Sequence, residues 1–157
     1  MRIGVLSDTH GRLPEQIAEL FRGCDHIIHA GDIGKLTILT ELEAIAPVTA
    51  VLGNNDFSYV DSLPSQVSME LGGVRFLIAH RLEEIKYLLN AWPAGKILPA
   101  VCIFGHTHVP ADSYQKPLGI RFINPGSLSY PRAGSRRSAL ILAAQGGVIT
   151  ETATITL

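Results

Sequence analysis

The stretch IGVLSDTHG, residues 3–11, decides the fold of this chain. Its apolar part, residues 3–6, has the length and composition of a short buried strand, and Asp8 and His10 follow at once. Residues 13–21 then carry apolar side chains at helical spacing, with Pro14 in the first turn. A buried strand, a polar loop and a helix in this order are typical of the α/β class.

The same order repeats in the segment that follows. A strand over residues 26–29 precedes a helix over residues 36–45, and Pro47 separates that helix from a strand over residues 48–52. Three strands alternating with two helices predict a parallel, right-handed unit.

The pattern changes after the third strand. Apolar segments at residues 67–71 and 74–78 flank Gly72 and Gly73 and predict a hairpin, and residues 82–89 predict a helix. Further strands are predicted over residues 101–104, 111–115, 120–123, 138–143 and 148–155. We therefore predict an α/β fold of two mixed sheets packed face to face, with the helices outside, in a single domain spanning residues 1–157.

The amino-acid composition of the chain limits the kinds of partner that we expect it to bind. The chain has 157 residues, 46% apolar and 17% charged, and a net charge of −1, so we expect neither a disordered chain nor a stable nucleic-acid binder. The arginines at positions 132, 136 and 137 are interpreted as a solvated loop, with a phosphate clamp as the alternative. No apolar stretch reaches the ~20 residues of a membrane span, so no membrane partner is expected.

Cys24 and Cys102 are interpreted as free thiols of a cytoplasmic protein. A homo-oligomer remains open.

Polar side chains that can bind metals follow five of the predicted strands. They are Asp8 and His10; His29 and Asp32; Asn54, Asn55 and Asp56; His80; and His106 and His108. Ligands of open α/β sheets bind beyond the carboxyl ends of the strands, so we expect most of these groups to converge. Carboxylate, imidazole and amide ligands without thiolates suit divalent Mn, Fe, Co, Ni or Zn. Two ions ~3.5–4 Å apart would suit hydrolysis of phosphoryl esters, because together they bind the attacking and the leaving oxygen.

The motifs DTH, GD, GNND, a lone histidine and GHTH, in that order, resemble those of the calcineurin-like metallophosphoesterases. The short chain, NPGS at residues 124–127 and PR at residues 131–132 resemble the small prokaryotic phosphodiesterase branch, which is similar to the phosphoesterase-like subunit of retromer. The resemblance implies a four-layer α/β/β/α sandwich, in agreement with the two predicted sheets.

The resemblance also implies two divalent ions, with Mn favoured and Ni, Fe, Co or Zn as alternatives. The first ion would be held by Asp8, His10, Asp32 and His108. The second would be held by Asp32, Asn54, His80 and His106, so that Asp32 bridges the two ions. Of these ligands, Asp32, Asn54 and His80 are also candidate catalytic residues.

Two positions depart from the pattern of the family. Asn55 stands where many members of the wider superfamily have a histidine that assists the leaving group, and Arg81 stands where a glycine is common. An amide cannot deliver a proton at neutral pH. We take Asn55 and Arg81 as candidate substrate-binding residues. In the wider family Asp56 supports that histidine; here the role of Asp56 is open.

The leading hypothesis is a metal-dependent phosphodiesterase for a small phosphodiester, in which a hydroxide activated by two metals attacks phosphorus. The alternatives are a phosphomonoesterase and a catalytically weak or inactive scaffold for protein interactions. All candidate ligands are present, which argues against the scaffold.

Ser127 is not expected to be a nucleophile, because no strand-to-helix elbow surrounds it. His26 and His29 are expected either to support the ligands or to be structural, and not to bind metal themselves.

Overall fold

The computed structural model describes residues 1–157 and contains two five-stranded sheets. The strands are β1 (Arg2–Leu6), β2 (His26–His29), β3 (Val48–Ala50), β4 (Gln66–Leu71), β5 (Val74–Ala79), β6 (Val101–Ile103), β7 (Ala111–Gln115), β8 (Ile120–Asn124), β9 (Ser138–Gln145) and β10 (Val148–Thr156). The α-helices are α1 (Ile17–Leu20), α2 (Thr37–Glu43) and α3 (Leu82–Asn90), and a 3₁₀ turn spans Phe57–Tyr59.

Both sheets are mixed, as predicted. The first has the order β10-β9-β1-β2-β3, in which β1, β2 and β3 are parallel and β9 and β10 are antiparallel to their neighbours. The second has the order β4-β5-β6-β8-β7, with parallel strands at its centre and antiparallel strands at both edges. Gly72 and Gly73 join β4 to β5 with φ of 58° and 79°, which confirms the predicted hairpin.

Successive side chains along a strand point to opposite faces of its sheet, so each sheet packs against the other sheet on one face and against helices on the other. The molecule therefore has four layers. Ile3 of β1 and Phe76 of β5 belong to one buried cluster that fills the space between the two sheets. Phe21 packs on the opposite face of β1, where a Cβ at Gly4 would lie 3.2 Å from its ring. On the far side of the second sheet, Ile85 of α3 packs against that sheet. The α/β/β/α sandwich is therefore confirmed.

Two of the three helices are shorter than the sequence predicted, while α3 (Leu82–Asn90) agrees with the helix predicted over residues 82–89. The helix predicted over residues 13–21 is the single turn α1. Leu13 lies outside it because the residue before a proline is sterically kept out of the helical conformation. The segment before α1 forms turns instead, in which the N–H of Ile17 donates to the carbonyl of Pro14 at 3.0 Å. The helix predicted over residues 36–45 and the strand predicted over residues 48–52 are each shorter, as α2 and β3. None of the helices is long and apolar enough to cross a lipid bilayer.

Candidate metal centre

The loops after β1, β2 and β6 bring carboxylates and imidazoles together at one edge of the sandwich. Ligand atoms of four residues lie within 4.8 Å of one another, and these residues are Asp8, His10, Asp32 and His108. The group is the complete set that the resemblance assigned to one ion. Asp8, Asp32 and His108 are buried, and His10 is partly exposed. A cluster of two carboxylates and two imidazoles could hold a divalent metal.

His108 is oriented by a hydrogen bond outside the cluster. Its Nδ1 lies 2.5 Å from the carbonyl oxygen of Tyr130, which can only accept, so Nδ1 carries the proton. Nε2 is then free to bind a metal, and it lies 3.2 Å from Oδ1 of Asp8 and 3.3 Å from Nε2 of His10. A ring held in this way through its other nitrogen is typical of metal-binding histidines.

His80 reaches the same cluster from the second sheet. Its Nδ1 donates to the carbonyl of Ala30 at 2.7 Å, so the lone pair again belongs to Nε2. That Nε2 lies 3.5 Å from Oδ2 of Asp32 and 3.9 Å from Oδ1 of Asp8. The histidine that was predicted at the end of β5 is therefore brought against both buried carboxylates.

His106 lies beside His80, with 5.3 Å between the ring centroids and the rings nearly perpendicular. Its main-chain N–H donates to Oδ2 of Asp8 at 3.0 Å, which ties the loop after β6 to the loop after β1. The two histidines of GHTH thus face different neighbours, His108 towards His10 and His106 towards His80.

Three buried ligand atoms at this edge have no hydrogen-bond partner. They are Oδ1 of Asp8, Oδ1 of Asn54 and Nε2 of His80. Such atoms are rare in native proteins, and leaving one without a partner costs about 1–3 kcal/mol. All three carry lone pairs of the kind that divalent cations bind. The residues present therefore fit a divalent metal.

The backbone is strained at the same residues. Six residues other than glycine have a positive φ, and five of them are Asp8, His10, Asp32, His106 and His108. This left-handed conformation costs about 1–2 kcal/mol for a residue with a Cβ. Strain of this kind persists where the surrounding structure holds it, and it concentrates at functional sites.

Asn55 and Asp56 fix the loop after β3 onto the loop after β2. The side-chain Nδ2 of Asn55 donates to Oδ2 of Asp32 at 2.6 Å, and its main-chain N–H donates to Oδ1 at 2.8 Å. The buried carboxylate of Asp56 accepts three main-chain N–H bonds of 2.8–3.1 Å, from Ile33, Gly34 and Gly53. Asp56 is therefore bound to backbone amides, and Asn55 faces Asp32.

The domain profile of the calcineurin-like phosphoesterase superfamily matches residues 1–147. This chain belongs to that superfamily. A probable metallophosphoesterase of Methanothermobacter thermautotrophicus is 37% identical over 145 residues, which cover 84% of this chain and 80% of that protein. A phosphodiesterase of Methanocaldococcus jannaschii is 30% identical over 143 residues, which cover 80% of this chain and 83% of that protein.

Solved structures agree with the family. An archaeal phosphodiesterase superposes with a TM-score of 0.79 over 100% of both chains, at 27% identity. Vps29 of Chaetomium thermophilum superposes with a TM-score of 0.76 over 99% of this chain and 98% of that chain, at 20% identity, which is a likeness of fold alone.

At this metallophosphoesterase site, burial and neighbouring groups shift the pKa values of the titratable side chains. Burial raises the pKa of Asp8 above its usual range, so its ionised form needs nearby positive charge. Burial alone would also raise the pKa of Asp32, but the neighbouring His80 and the hydrogen bonds from Asn55 bring it below its usual range. The pKa of His80 is raised in spite of burial, because Asp32, Ala30 and Asp8 favour its charged form. The two carboxylates thus favour a cation between them.

Arg81 lies at the start of α3. Its main-chain N–H donates to Oε2 of Glu84 at 3.1 Å, and its Nε is buried without a hydrogen-bond partner. The pKa of His106 is lowered by burial and also by the positive charges of His80 and Arg81. The guanidinium therefore places positive charge near His106.

Two residues of NPGS support the cluster in ways that the sequence did not indicate. The hydroxyl of Ser127 donates to the carbonyl of Asp8 at 2.8 Å, so it is engaged with the backbone, as expected for a residue that is not a nucleophile. Nδ2 of Asn124 donates to the carbonyl of Gly105 at 2.8 Å and to Oγ1 of Thr107 at 3.0 Å. Only the resemblance singled out this segment, since neither contact leaves a pattern in the sequence.

Proposed function

We propose that this metallophosphoesterase hydrolyses phosphodiester bonds with two divalent ions, and that manganese is the favoured metal. The observation that carries the proposal is the set of three buried, unpartnered ligand atoms, on Asp8, Asn54 and His80. Asp8 belongs to a cluster that already contains enough ligands for one ion, and Asn54 and His80 add ligand atoms beyond that cluster. More ligand atoms than one ion requires therefore support a second ion.

The two ions would be held by seven side chains. Asp8, His10, Asp32 and His108 would hold the first, and Asp32, Asn54, His80 and His106 would hold the second. Bound divalent ions supply Lewis-acid stabilisation of phosphoryl oxygens and a water of lowered pKa. Asp32 lies between His10 and His80, at 3.7 Å and 3.5 Å from their Nε2 atoms, which supports its assignment as the bridge.

The protein's own groups orient these ligands. Tyr130 and Ala30 fix the rings of His108 and His80 through their Nδ1 atoms, and Asn55 fixes the carboxylate of Asp32. The amide of Asn55 cannot deliver a proton to a departing oxygen. Esters with good leaving groups are therefore expected to react fastest. We propose that Arg81 binds a phosphoryl oxygen of the substrate, because its Nε has no partner.

The similarity of this chain to the phosphodiesterase of Methanocaldococcus jannaschii and to the archaeal phosphodiesterase of similar fold supports diester rather than monoester substrates.

We further propose a single domain, because the hydrophobic cluster between the sheets includes residues from β1 to β9. The free thiols of Cys24 and Cys102 are buried, which supports a reducing compartment such as the cytoplasm.

The test measures metal content and activity on the same preparation. The protein is purified without chelator, saturated with Mn²⁺ at neutral pH, and assayed with bis(p-nitrophenyl) phosphate and with p-nitrophenyl phosphate. We expect two ions per chain and faster turnover of the diester. No more than one ion at saturation would refute the two-metal assignment. Faster turnover of the monoester would indicate a phosphomonoesterase, and a fully loaded protein without activity would indicate a scaffold.

Asp32→Ala and Asn54→Ala form a matched pair for the same assay. A carboxylate between two cations neutralises charge, whereas an amide supplies only a dipole, so the loss of activity should be more complete in Asp32→Ala. Equal, mild losses in the two variants would contradict the bridging role of Asp32.

A further inference from the structure

A groove runs from the metal cluster across the loop that follows NPGS. A cavity of about 700 Å³ is lined by His10, His108, Tyr130 and Arg132. A second cavity, of about 240 Å³, shares Ser129 with the first and is lined by Arg12 and Arg137. Because the two cavities share a lining residue, we treat them as one groove that begins at two candidate metal ligands.

The groove is positively charged. Its arginines, Arg12, Arg132 and Arg137, are exposed, and no acidic residue lines either cavity. None of the three is in a salt bridge, whereas Arg121 is paired with Asp112. Because the whole chain has a net charge of −1, this concentration of positive charge is local. An unpaired guanidinium presents donors whose geometry matches a phosphate group.

The groove is also fixed to the cluster by hydrogen bonds. The hydroxyl of Ser129 donates to the carbonyl of Arg12 at 2.9 Å, and the guanidinium of Arg12 lies 5.8 Å from the ring centroid of Tyr130. The carbonyl of Tyr130 in turn accepts the Nδ1–H bond of His108. A candidate metal ligand and the start of the basic groove are therefore linked through one residue.

The loop is closed at its other end by Ser135. Its hydroxyl lies 2.7 Å from the carbonyl of Arg132 and 3.3 Å from the carbonyl of His108. The backbone that carries Arg132 is thus held close to the same histidine. The backbone of the loop therefore has a defined position beside the cluster, and the side chain of Arg132 is exposed, as expected for the predicted solvated loop.

We infer that this groove binds a second phosphate of the substrate, so that the preferred substrate class is a phosphodiester that carries a further phosphate, as in a nucleotide ester. The inference rests on the proposed function, because it assumes that the scissile diester lies at His10 and His108. The second phosphate then lies along the loop, within reach of Arg12, Arg132 and Arg137.

The test uses two substrates that differ in this one group. They are the p-nitrophenyl ester of thymidine 5′-phosphate and the same ester with a 3′-phosphate, and both release nitrophenolate. For the Mn-loaded protein we expect KM to be about tenfold lower for the ester with the extra phosphate, with similar kcat, since the arginines contact a group remote from the reacting bond. The preference should shrink as salt is raised, because exposed charges are screened.

Arg12→Gln and Arg132→Gln should each reduce the preference by about threefold, which is the scale of exposed ion pairs. Arg22→Gln is the matched control, since Arg22 is exposed and lines neither cavity, and it changes the net charge equally. Melting temperatures of all variants check that they fold. Equal KM values for the two esters, or the same loss of preference in Arg22→Gln, would overturn the inference.

A binding experiment tests the same inference without requiring turnover. Thymidine 3′,5′-bisphosphate and thymidine 5′-monophosphate are titrated calorimetrically into the Mn-loaded protein and its variants. We expect tighter binding of the bisphosphate, and a reduced difference in Arg12→Gln and Arg132→Gln but not in Arg22→Gln. If the protein shows no diesterase activity but this difference is present, the proposed function fails while the phosphate groove stands. If diesters turn over and the difference is absent, only the groove fails.

Discussion

The side-chain amide of Asn55 and the carboxylate of Asp32 form a two-point contact. Nδ2 of Asn55 donates to Oδ2 of Asp32 at 2.6 Å, and the N–H of Asn55 donates to Oδ1 at 2.8 Å. Both oxygens of the proposed bridging ligand are thus oriented by one residue. The position at which the resembled superfamily often has a histidine holds, in this chain, a residue that fixes a candidate ligand.

Asn55→Ala removes the side-chain bond to Asp32 and keeps the main-chain bond. We expect affinity for Mn²⁺ to fall by about tenfold to a hundredfold, which is typical for the loss of a residue that orients a metal ligand. A calorimetric titration with Mn²⁺ measures this change. Asn90→Ala, at the exposed end of α3, is the control and should bind as the wild type does. Unchanged affinity in Asn55→Ala would show that Asp32 does not need this support.

Gly105 lies where the loop after β6 crosses the loop after β1. A Cβ at this position would stand 1.9 Å from Oγ of Ser7 and 2.6 Å from Oδ2 of Asp8. Gly105→Ala should therefore destabilise the protein by about 1–3 kcal/mol, the usual cost of overpacking, and should displace a candidate ligand. Urea unfolding and a Mn²⁺ titration measure the two effects.

Gly23→Ala is the control for that substitution. Gly23 has φ of 74° and no neighbouring atom within 4 Å of the position that a Cβ would take, so only backbone strain applies. Its expected cost is about 1–2 kcal/mol, with no change in metal affinity. If the two variants lose metal affinity equally, steric displacement at Gly105 is not the cause.

The layers of the fold could be predicted because short continuous apolar runs, such as residues 3–6 and 76–79, are typical of strands that are buried on both faces. Ile3 and Phe76 face one core, while Gly4 and Leu77 face the helices. The position of β9 beside β1 could not be predicted. That pairing joins residues at opposite ends of the chain, and no local pattern specifies which strand becomes the neighbour.

The convergence of the candidate ligands could be predicted because the carboxyl ends of parallel strands meet at one edge of a sheet. The structure brings Asp8, Asp32 and His108 together as expected. The contacts of Asn55 and Ser127 could not be predicted, since they depend on loop conformations. The left-handed backbone of the candidate ligands was also missed, because Asp and His adopt a positive φ more often than most residues but still only in a small minority of cases.

The buried side chain of His29 is expected to make the stability of the protein depend on pH. Burial lowers its pKa to about 3, and the ring is hydrogen-bonded to Thr9 and Gly31. In the unfolded chain the pKa of a histidine is about 6.5, so the unfolded state takes up a proton first as the pH falls. The stability that neutral His29 contributes is therefore complete above pH ~6.5 and is lost towards pH ~3, by about 1.4 kcal/mol per pH unit.

His29→Asn tests this dependence. An amide oxygen can accept the N–H bond of Gly31 but does not titrate. We expect a variant that is less stable at neutral pH and whose free energy of unfolding falls less steeply below pH ~6.5. Urea unfolding with chelator present, at several pH values from neutral downwards, gives both slopes. Parallel slopes for the variant and the wild type would mean that His29 is not the group responsible.

Ser127 connects the loop after β8 to two of the candidate ligands. Its hydroxyl donates to the carbonyl of Asp8 at 2.8 Å and accepts main-chain N–H bonds from Ser129 at 3.2 Å and from Tyr130 at 2.9 Å. The carbonyl of Tyr130 then fixes the ring of His108. One buried hydroxyl therefore supports the left-handed backbone at Asp8 and the turn that orients His108.

Ser127→Ala should lower the free energy of unfolding by about 1–3 kcal/mol, because it leaves buried backbone groups without a partner. It should also weaken Mn²⁺ binding, since a ligand backbone and the turn that orients a ligand ring both lose a support. Ser127→Cys keeps a weak donor and acceptor and should show smaller losses. Ser113→Ala, on the exposed strand β7, is the control for loss of a serine hydroxyl. Urea unfolding measures stability, and calorimetry measures affinity for Mn²⁺. If Ser127→Ala loses stability but binds Mn²⁺ as the wild type does, NPGS stabilises the fold and does not position the metal ligands.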